Sequence, residues 1–196
     1  RLNVPGRHWV QNSLAVLGTV SALGGDLDLA ATALADLTPS KGRGARINVQ
    51  MPDGLMTVID DSYNASPASM RAAFAVLGNA KPKSGGRRIA VLGDMLELGD
   101  ASAKLHIALA GDLEANKIDQ VFCAGPDMAA LNGVLPEAMR GAVAADSKAL
   151  VPQVCSAVNA GDVVLVKGSL GSRMALIVDA LCALEMNDGL EANHAV

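Results

Sequence analysis

Apolar positions along this chain alternate between the spacing of a strand and the spacing of a helix. Residues 55–59 form a continuous apolar run that predicts a buried strand, and two carboxylates, Asp60 and Asp61, follow it directly. Ser66 and Pro67 then mark the start of a helix, with Ser66 as its N-cap. The apolar face of that helix, at the spacing i, i+3, i+4 and i+7, consists of Met70, Ala73, Phe74 and Leu77. The two carboxylates are therefore expected in a strand-to-helix turn.

The same alternation continues along the rest of the chain. An edge strand is predicted at 46–51, and further strands are predicted at 88–92, 120–124, 142–145 and 162–167. The helices that accompany them are predicted at 67–79, 102–116, 126–135, 147–159 and 172–184. Beyond residue 184 the periodicity is lost, and the tail is expected to fray. Strands alternating with helices predict an α/β fold, a Rossmann-like and mostly parallel sheet with helices on both faces.

The beginning of the chain differs because it contains no strand pattern. Two helices with apolar faces are predicted there, at 8–23 and about 29–37. Asp26 or Asp28 is expected to cap the second helix. Segment 38–44, which holds a proline and two glycines, then breaks regular structure, so we place a domain boundary between 1–44 and 45–196. Two helices of this length cannot enclose a core alone, and we expect them to lean on another part of the protein.

Composition favours a globular protein and disfavours several classes of function. Hydrophobic residues make up 51% of the 196 residues and charged residues 18%, whereas aromatic residues make up only 2%, so the core is expected to be aliphatic. The net charge is −4 and no basic patch occurs, which disfavours nucleic-acid binding. No apolar run approaches the ~20 residues that span a bilayer. No secretory signal opens the chain, so we expect a cytoplasmic protein without membrane insertion.

The cysteines and the first residue carry two further expectations. Cys123, Cys155 and Cys182 are widely spaced and set among apolar residues, and their number is odd. They are expected to be buried free thiols of a reducing compartment, not a disulfide or zinc framework. The chain begins at Arg1 and not at a methionine, as an excised fragment or a trimmed start would.

Polar residues follow three of the predicted strands at the point where each strand ends. In chain order the three groups contain Asp60, Asp61, Tyr63 and Asn64, then Asp94 and Glu97, then Lys167, Ser169 and Arg173. Because the carboxyl ends of parallel strands meet at one edge of a sheet, these groups are expected to line one cleft. Carboxylates there would hold an ammonium group. Lys167, Arg173 and helix N–H groups would hold a carboxylate or phosphate.

Such a mixture suits a zwitterion, such as an amino acid or short peptide, together with parts of a nucleotide. Two simpler alternatives remain open at this point. Asp60 and Asp61 would then be loop residues that help to cap the following helix. Segment 168–171 would be an ordinary strand-to-helix turn.

Several catalytic signatures do not occur in the sequence. It contains no G-x-x-x-x-G-K-[ST] phosphate loop, no G-x-G-x-x-G after a strand and no G-x-S-x-G elbow. The histidines are scattered at 8, 106 and 194, so no metal site is predicted, and His106 is expected at a helix surface or the edge of the core. Taken alone, the chain has no predicted machinery for phosphoryl transfer or hydrolysis, and its catalytic residues are unknown.

Three segments of the chain resemble the Mur ligases. They are Asp-Asp-Ser-Tyr-Asn-Ala-Ser-Pro at 60–67, Val-Leu-Gly-Asp-Met-Leu-Glu-Leu-Gly at 91–99, and Val-Leu-Val-Lys-Gly-Ser at 164–169. Pro-Gly-Arg-His at 5–8 and Asn12 resemble a helix start near the end of that family's central ATPase domain. The likeness covers about residues 2–184.

The resemblance implies a three-domain, ATP-dependent amide ligase of which this chain is the C-terminal part. Residues 1–44 would be the helical end of the central ATP-binding domain, and residues 45–196 the Rossmann-like ligase domain. Asp-Asp-Ser-Tyr-Asn-Ala is typical of the member that adds D-alanyl-D-alanine to UDP-MurNAc-tripeptide through an acyl phosphate. The Asp-Asn-Pro-Arg motif of the sister ligase for diaminopimelate or lysine does not occur in this sequence.

The resemblance also implies cofactors and site residues. ATP and magnesium would serve the full-length enzyme, whose phosphate loop and magnesium ligands would lie outside this chain, and no cofactor is expected to bind this fragment tightly. Positions near the nucleotide match Asn12, Arg46 (with Arg43 as the alternative), Asp60, Asp61 and Asn64. Positions that face the incoming dipeptide or close the cleft match Asp94, Glu97, Lys167 and Ser169. Trp9 stands where many relatives have asparagine, which weakens the case for a polar contact there.

A second hypothesis, from a different class, is a receiver-like phosphoacceptor regulatory domain of the flavodoxin-like type. Such domains carry an acid pair after the first strand, a further aspartate and a late lysine, and Asp60, Asp61, Asp94 and Lys167 resemble that set. Asp94, however, follows the second strand of the alternation and not the third, and the chain is longer than such domains usually are. A Rossmann-type oxidoreductase is disfavoured because the glycine fingerprint is missing.

Overall fold

The computed structural model describes residues 2–83 and 85–191, except for the side chains of residue 8 and residues 185–191. The described chain divides into two units, of which the first ends at Ser40 and the second begins at Lys41. The boundary predicted after residue 44 therefore falls inside the loop that opens the second unit. The assignment of the two spans to an ATPase domain and a ligase domain stays a prediction.

The first unit consists of two helices, α1 (Arg7–Ala22) and α2 (Leu27–Ala35). Asp26 is the N-cap of α2, because its Oδ1 accepts hydrogen bonds from the backbone N–H groups of Asp28 and Leu29, both at 2.9 Å. This decides between the two predicted caps. Apolar side chains remain exposed in this unit, among them Val10, Leu14, Val16, Leu23, Leu27 and Leu29.

The second unit is built on a six-stranded sheet with the order β1-β2-β6-β3-β4-β5. The strands are β1 (Ala45–Met51), β2 (Gly54–Asp61), β3 (Arg88–Gly93), β4 (Gln120–Ala124), β5 (Arg140–Ala144) and β6 (Val163–Lys167). β1 lies at the edge and pairs antiparallel with β2, and the other neighbouring strands are parallel. The predicted edge strand and mostly parallel sheet are confirmed. The return of the last strand to the centre, between β2 and β3, could not be predicted from the spacing of apolar residues.

The helices of the second unit are α3 (Pro67–Gly78), α4 (Ser102–Ile107), α5 (Ala110–Ala115), α6 (Pro126–Val134), α7 (Ser147–Ala157) and α8 (Ala175–Glu191). The single helix predicted at 102–116 is wrong. The N–H of Leu109 bonds to the carbonyl of His106, three residues back, at 3.0 Å, and this tighter turn separates α4 from α5. Both His106 and Leu109 are fully buried by this arrangement.

Helix α8 continues past the end predicted at residue 184. Apolar periodicity reports which residues are buried, whereas a helix persists as long as its backbone hydrogen bonds do, so the expectation of fraying is wrong for residues 185–191. The part of the predicted tail at 192–196 lies outside the described residues.

Two apolar layers cover opposite faces of the sheet, as predicted. On one face, side chains of β2, β3, β4 and β6 contact α3, α5 and α6, with Phe74, Leu113 and Met128 fully buried. On the other, alternate side chains of the same strands contact α7 and α8 through Leu150, Val154 and Ile177 among others. The predicted apolar face of α3, which is Met70, Ala73, Phe74 and Leu77, is confirmed as buried.

Candidate functional site

The strand order brings three predicted polar groups to one edge of the sheet. β2, β6 and β3 are neighbours and parallel, and they end at Asp61, Lys167 and Gly93 respectively. Asp61 and Leu92 are the register partners of Lys167 on its two sides. The carboxyl-terminal edge of the sheet therefore holds an acidic turn, a lysine and a glycine–aspartate loop side by side.

Lys167 is a buried cation at the centre of this edge. It ends the apolar run of β6, its residue is 2% exposed, and the alternation of β6 puts its side chain on the face covered by α3. Its Nζ donates hydrogen bonds to Oδ2 of Asp61 at 2.7 Å and to the backbone carbonyl of Asn64 at 2.8 Å. The Asp61 side chain is 25% exposed, so this ion pair is buried on the lysine side and open to solvent on the acidic side.

Asp60 is fully buried and its carboxylate is occupied by neighbouring donors. Oδ1 accepts from the Ser62 hydroxyl at 2.6 Å and from the Ser62 N–H at 3.2 Å, and Oδ2 accepts from the N–H of Gly42 at 2.8 Å. Asp60 therefore fixes the acidic turn and ties it to the loop that opens the second unit. Ser66 is the N-cap of α3, as predicted, and shares a reciprocal capping box with Ser69.

Gly42 approaches the acidic turn too closely for a side chain. Its carbonyl accepts from the N–H of Tyr63 at 3.1 Å, its φ is +77°, and a β-carbon there would lie 2.9 Å from Cβ of Tyr63. Next to it, the Arg43 guanidinium lies over the Tyr63 ring, with 4.4 Å between Cζ and the ring centroid. Arg46 instead lies exposed on β1, opposite Ile59. Of the two candidate arginines, Arg43 is the one in contact with the acidic turn.

The two asparagines predicted near the nucleotide lie in different units. Asn64 is exposed at the end of the acidic turn, where its Oδ1 accepts from the N–H of Ala65 at 2.8 Å and its carbonyl accepts from Lys167. Asn12 is exposed on α1 in the first unit. The second unit thus brings Asp60, Asp61 and Asn64 together in one turn, and Asn12 belongs to the other unit.

Asp94 is buried at the end of β3 and caps helix α6. Its Oδ1 accepts from the N–H of Met128 at 2.8 Å, and a β-carbon at Gly125 (φ +108°) would overlap the carboxylate. Burial raises the pKa of the Asp94 carboxyl above its ordinary 3.8, and bonds from the N–H groups of Met128 and Asp127 partly oppose that rise. Asp94 therefore reaches from the rim of β3 to the start of α6.

His106 lies inside the protein beneath the same loop, so its predicted place at a helix surface or core edge is wrong. Its Nδ1 lies 2.8 Å from the carbonyl of Ser102, which only accepts, so Nδ1 carries the proton. Its Nε2 accepts from the N–H of Met95 at 2.9 Å. Both ring nitrogens are occupied in the neutral form, and the 4.0 Å separation from Oδ1 of Asp94 is therefore not an ion pair. His106 supports the backbone that carries Asp94.

Ser169 connects the loops that follow β6 and β3. Its N–H donates to the carbonyl of Asp94 at 3.2 Å, and its Oγ accepts from the N–H of Leu96 at 2.9 Å. Ser172 in turn donates its hydroxyl to the carbonyl of Ser169 at 2.6 Å. Glu97 is exposed in the same region with a φ of +63°, a conformation uncommon for residues other than glycine.

A small cleft of about 260 Å³ opens beside Asp94. Its walls come from the loops after β3, β4, β5 and β6 and from the starts of α6, α7 and α8. Its apolar lining includes Leu96, Ala124, Pro126 and Leu176, and its charged lining consists of Asp94, Asp146, Lys148 and Arg173. Lys148 was not singled out from the sequence, because it lies inside a helix at a position that looks like ordinary solvated surface.

The described residues contain no disulfide and no cluster of metal-ligating side chains. None of the three cysteines forms a disulfide, and Cys123 is buried as predicted, whereas Cys155 and Cys182 are only half-buried. Burial raises the pKa of the Cys123 thiol to about 12, which keeps it unreactive. Within residues 2–83 and 85–191, no group of three or more His, Cys, Asp or Glu could hold a metal ion. No helix in those ranges is long and apolar enough to cross a membrane.

Comparison with known proteins assigns the chain to a family. Residues 42–170 match the family model described as the glutamate ligase domain of Mur ligases, which is about two thirds of the chain. The chain belongs to the Mur ligase family. The matched span of this Mur ligase chain begins at Gly42 and includes the acidic turn, the loop after β3 and Lys167.

Three relatives show how much of a longer Mur ligase this chain represents. It is 32% identical over 173 residues to the UDP-N-acetylmuramoyl-tripeptide–D-alanyl-D-alanine ligase of Rickettsia prowazekii, covering 88% of this chain and 37% of the relative. The ligase of the same name from Escherichia coli K12 is 34% identical over 185 residues, covering 92% and 38%. The crystal structure of the MurF ligase from Thermotoga maritima, a complex with ADP, superposes with a TM-score of 0.77 at 24% identity, covering 94% and 40%. The chain therefore spans less than half the length of these relatives.

Proposed function

We propose that this chain is the C-terminal part of an ATP-dependent ligase that adds D-alanyl-D-alanine to UDP-MurNAc-tripeptide in peptidoglycan precursor synthesis. The observation that carries the proposal is the convergence of its three motif loops, joined by the Lys167–Asp61 and Ser169–Asp94 hydrogen bonds, at one edge of the sheet. Both sequence relatives described above carry this activity in their names. The receiver-like hypothesis has no comparable support, because the chain belongs to the Mur ligase family.

The acidic turn forms the nucleotide side of the proposed site. The Asp61 side chain is 25% exposed and is held in place by Lys167, so its carboxylate would be accessible to ribose hydroxyls. Arg43 and Tyr63 present a stacked cationic surface beside it, and Tyr63 is 46% exposed. Asp60, whose oxygens are already occupied, would position this turn without contacting the ligand. The complex of the Thermotoga maritima relative with ADP supports a nucleotide in this family.

The loops after β3 and β6 form the side that would receive the dipeptide. Asp94 and Glu97 bring negative charge to that side, and Ser169 fixes the distance between the two loops. ATP would supply the phosphoryl group that activates the tripeptide carboxylate, and magnesium would be held by residues outside this chain. The role of this chain would be positioning, because holding the amine next to the activated carboxylate lowers the entropic cost of attack and excludes water. Asn12 and Arg46 remain candidates for contacts made by the longer enzyme.

The full-length enzyme that carries this chain tests the proposal. It should form ADP only when both UDP-MurNAc-tripeptide and D-alanyl-D-alanine are present, as followed by a coupled ADP assay. Replacement Asp61→Asn keeps an acceptor for Lys167 and should raise the KM for ATP without loss of folded structure. Unchanged kinetics of this variant would remove Asp61 from the nucleotide site. ADP formation that does not depend on the dipeptide would contradict the proposed function.

The chain alone gives a second test. Its sequence has no G-x-x-x-x-G-K-[ST] phosphate loop, so we expect the purified 196-residue chain not to hydrolyse ATP. The measurement is phosphate release from ATP and magnesium over hours, with the full-length enzyme as the positive control. Turnover by the chain alone would mean that the phosphate-binding residues lie within it.

A further inference from the structure

His106 is a buried side chain to which the proposed function assigns no role. It is fully enclosed on α4, and its two ring nitrogens contact different parts of the chain. The Nδ1–H group donates to the carbonyl of Ser102 in the same helix, at 2.8 Å, which fixes the orientation of the ring. Nε2 is thereby directed at the N–H of Met95, eleven residues back along the chain, and accepts its hydrogen bond at 2.9 Å. One side chain thus joins the two ends of segment 95–106.

The N–H of Met95 has the His106 ring, and not a carbonyl, as its acceptor. Met95 is 1% exposed, and a buried N–H group that loses its acceptor retains the cost of its removal from water. The N–H of Asp94 donates to a carbonyl at the end of β4 at 3.2 Å. The N–H of Leu96 donates to Oγ of Ser169 at 2.9 Å. Three successive N–H groups are therefore held by three different parts of the molecule, and His106 holds the middle one.

The segment closed by His106 contains a backbone conformation that needs support. Glu97 is exposed and has a φ of +63°, which is unfavourable for a residue that carries a β-carbon. Such a conformation persists only where the surrounding structure enforces it, and such positions are common at functional sites. Before Glu97 lies the backbone held by His106, and after it Leu98 packs against the apolar core. These two anchors hold Glu97 in its left-handed conformation at the rim of the sheet.

The helix that carries His106 is itself anchored independently of this segment. Ser102, the first residue of α4, donates its hydroxyl to Oδ2 of Asp127 at 2.6 Å, and Asp127 lies in the first turn of α6. α4 also packs along α6. His106 therefore contacts Met95 from a fixed helix, so that the ring determines where the backbone before Glu97 lies.

We propose that His106 is a positioning residue that holds Glu97 in its left-handed conformation through the N–H of Met95. The proposal rests on the proposed function, in which Glu97 lies on the side that receives the dipeptide. It assigns a role to a side chain that lies inside the protein, out of reach of a ligand. A carboxylate that is already fixed binds an ammonium group more favourably than one that must first be ordered, because less conformational entropy is lost on binding.

The alternative is that the ring only fills space in the core. Any polar side chain of similar volume would then replace it, whereas the proposal requires a hydrogen-bond acceptor at the position of Nε2. Glutamine can place its amide oxygen near that position, whereas the shorter asparagine reaches only the position of Nδ1. His106→Gln therefore keeps an acceptor for the N–H of Met95, and His106→Asn loses it.

Hydrogen exchange of the ¹⁵N-labelled 196-residue chain tests the contact directly. The amide of Met95 should exchange at least about tenfold faster in His106→Asn than in the unaltered chain, and less than about threefold faster in His106→Gln. The amide of Val91, which is fully buried in β3, reports the global stability of each variant and separates a local effect from unfolding. Equal exchange of Met95 in the two variants, after that correction, would overturn the inference.

The ring of His106 provides a measurement that needs no substitution. In the unaltered chain at pH 7, its ¹⁵N shifts should be of the protonated type for Nδ1 and of the unprotonated type for Nε2, with a hydrogen bond from the amide of Met95 to Nε2. A proton on Nε2 would overturn the inference, because that nitrogen could not then accept from Met95.

Steady-state kinetics of the full-length enzyme test the role of the contact. His106→Asn should raise the KM for D-alanyl-D-alanine about tenfold and leave the KM for ATP unchanged, whereas His106→Gln should stay within about twofold. A smaller amount of folded enzyme would instead lower kcat and leave both KM values unchanged. Lys104→Gln removes an exposed cation from the same helix and should alter neither KM. An unchanged KM for the dipeptide in His106→Asn would overturn the inference.

Replacement Glu97→Gln completes a double-mutant cycle. If His106 acts through Glu97, the double variant with His106→Asn should lose no more dipeptide affinity than the weaker of the two single variants. Losses that multiply would show that the two residues act independently, and would overturn the inference. Failure of the proposed function is distinguishable from these outcomes, since it would appear in the unaltered enzyme as ADP formation that does not depend on the dipeptide.

Discussion

An ion pair with a 2.7 Å contact lies at each end of the parallel strands: Arg87–Asp162 at the amino-terminal edge of the sheet and Lys167–Asp61 at the carboxyl-terminal edge. The two pairs differ in which partner is buried. At the amino-terminal edge, the Asp162 side chain is 1% exposed and its oxygens accept from the N–H, Nε and an Nη of Arg87 and from the N–H of Asn159. Arg87 further donates to Gln120 and to the carbonyl of Ala157. This pair therefore connects the starts of β3, β4 and β6 with the end of α7.

At the carboxyl-terminal edge, the burial is reversed. Lys167 is the buried partner, and Asp61 remains accessible at one quarter of its side-chain surface. The Asp162 carboxylate accepts from four internal donors and is 1% exposed, so a ligand cannot reach it, whereas the Asp61 carboxylate is 25% exposed and can be reached. The amino-terminal pair is therefore placed to stabilise the fold, whereas the carboxyl-terminal pair holds an accessible acid, as the proposed nucleotide site requires.

Removing the amino-terminal acid should have the largest effect on stability. Asp162→Ala leaves Arg87 and two backbone N–H groups without their acceptor, and we expect a loss of about 3 kcal/mol in the free energy of unfolding. The measurement is urea unfolding of the second unit followed by circular dichroism. Asp119→Ala is the matched control at the same edge, since Asp119 is exposed and accepts a single bond from the N–H of Arg88, and it should cost about 1 kcal/mol. Equal losses for the two variants would contradict the assigned role of Asp162.

Removing the carboxyl-terminal cation should cost less stability and more binding. Lys167→Met keeps a buried side chain of similar length and leaves Asp61 in contact with water, so we expect a loss of about 1 kcal/mol. The turn at Asn64 also loses its bond to Nζ, and the Kd for ADP should rise about tenfold. Urea unfolding and an ADP titration measure the two quantities. A stability loss equal to that of Asp162→Ala with unchanged ADP binding would reverse the comparison.

The pH dependence of stability should identify Asp94 as an acid of the carboxyl-terminal edge whose pKa is raised by burial. Because burial raises its pKa in the folded protein above the ordinary 3.8, the folded state binds its proton more tightly than the unfolded state does. The contribution of Asp94 to stability should therefore fall as the pH rises through the interval that begins at 3.8. Asp94→Asn keeps the cap on α6 and should reduce this fall, as measured by urea unfolding between about pH 4 and pH 7. A steeper fall in the variant would show that the pKa is lowered instead.

Removal of an exposed ion pair should have the smallest effect on stability. It provides the baseline for the Arg87–Asp162 and Lys167–Asp61 pairs. Lys41 lies 3.3 Å from Asp179, and both side chains are mostly exposed. Lys41→Ala should change the free energy of unfolding by less than about 0.5 kcal/mol, because solvent screens such pairs. A loss as large as that of Lys167→Met would mean that burial does not distinguish these pairs.

The sequence allowed most elements of this comparison to be predicted, but not the contacts between them. Apolar runs of strand length predicted β2, β3, β4 and β6, and the Ser66–Pro67 signal predicted the start of α3, because these depend on residues close together in the chain. The pairing of Asp61 with Lys167, 106 residues apart, depends on β6 returning between β2 and β3, and no local pattern encodes that return. The division between α4 and α5 was missed because a tightened turn leaves the helical spacing of apolar residues almost unchanged.

Sequence patterns also did not distinguish accessible acids from buried ones. Asp60 and Asp61 are adjacent and identical in type, yet the former is fully buried with its oxygens occupied and the latter is open to solvent. Strand alternation puts them on opposite faces of the sheet, and only the loop that packs against Asp60 decides which of them is enclosed. That loop is fixed by the N–H of Gly42, eighteen residues away.

The central claim, that the carboxyl-terminal edge of the sheet binds the nucleotide through the Asp61 turn, has one direct measurement. It is a chemical-shift map of the ¹⁵N-labelled 196-residue chain titrated with ADP. The account predicts shifts concentrated at Arg43, Asp61, Tyr63 and Asn64, with the amides around Arg87 and Asp162 unmoved. Shifts centred on the amino-terminal edge, or none at ADP concentrations up to about 10 mM, would contradict it.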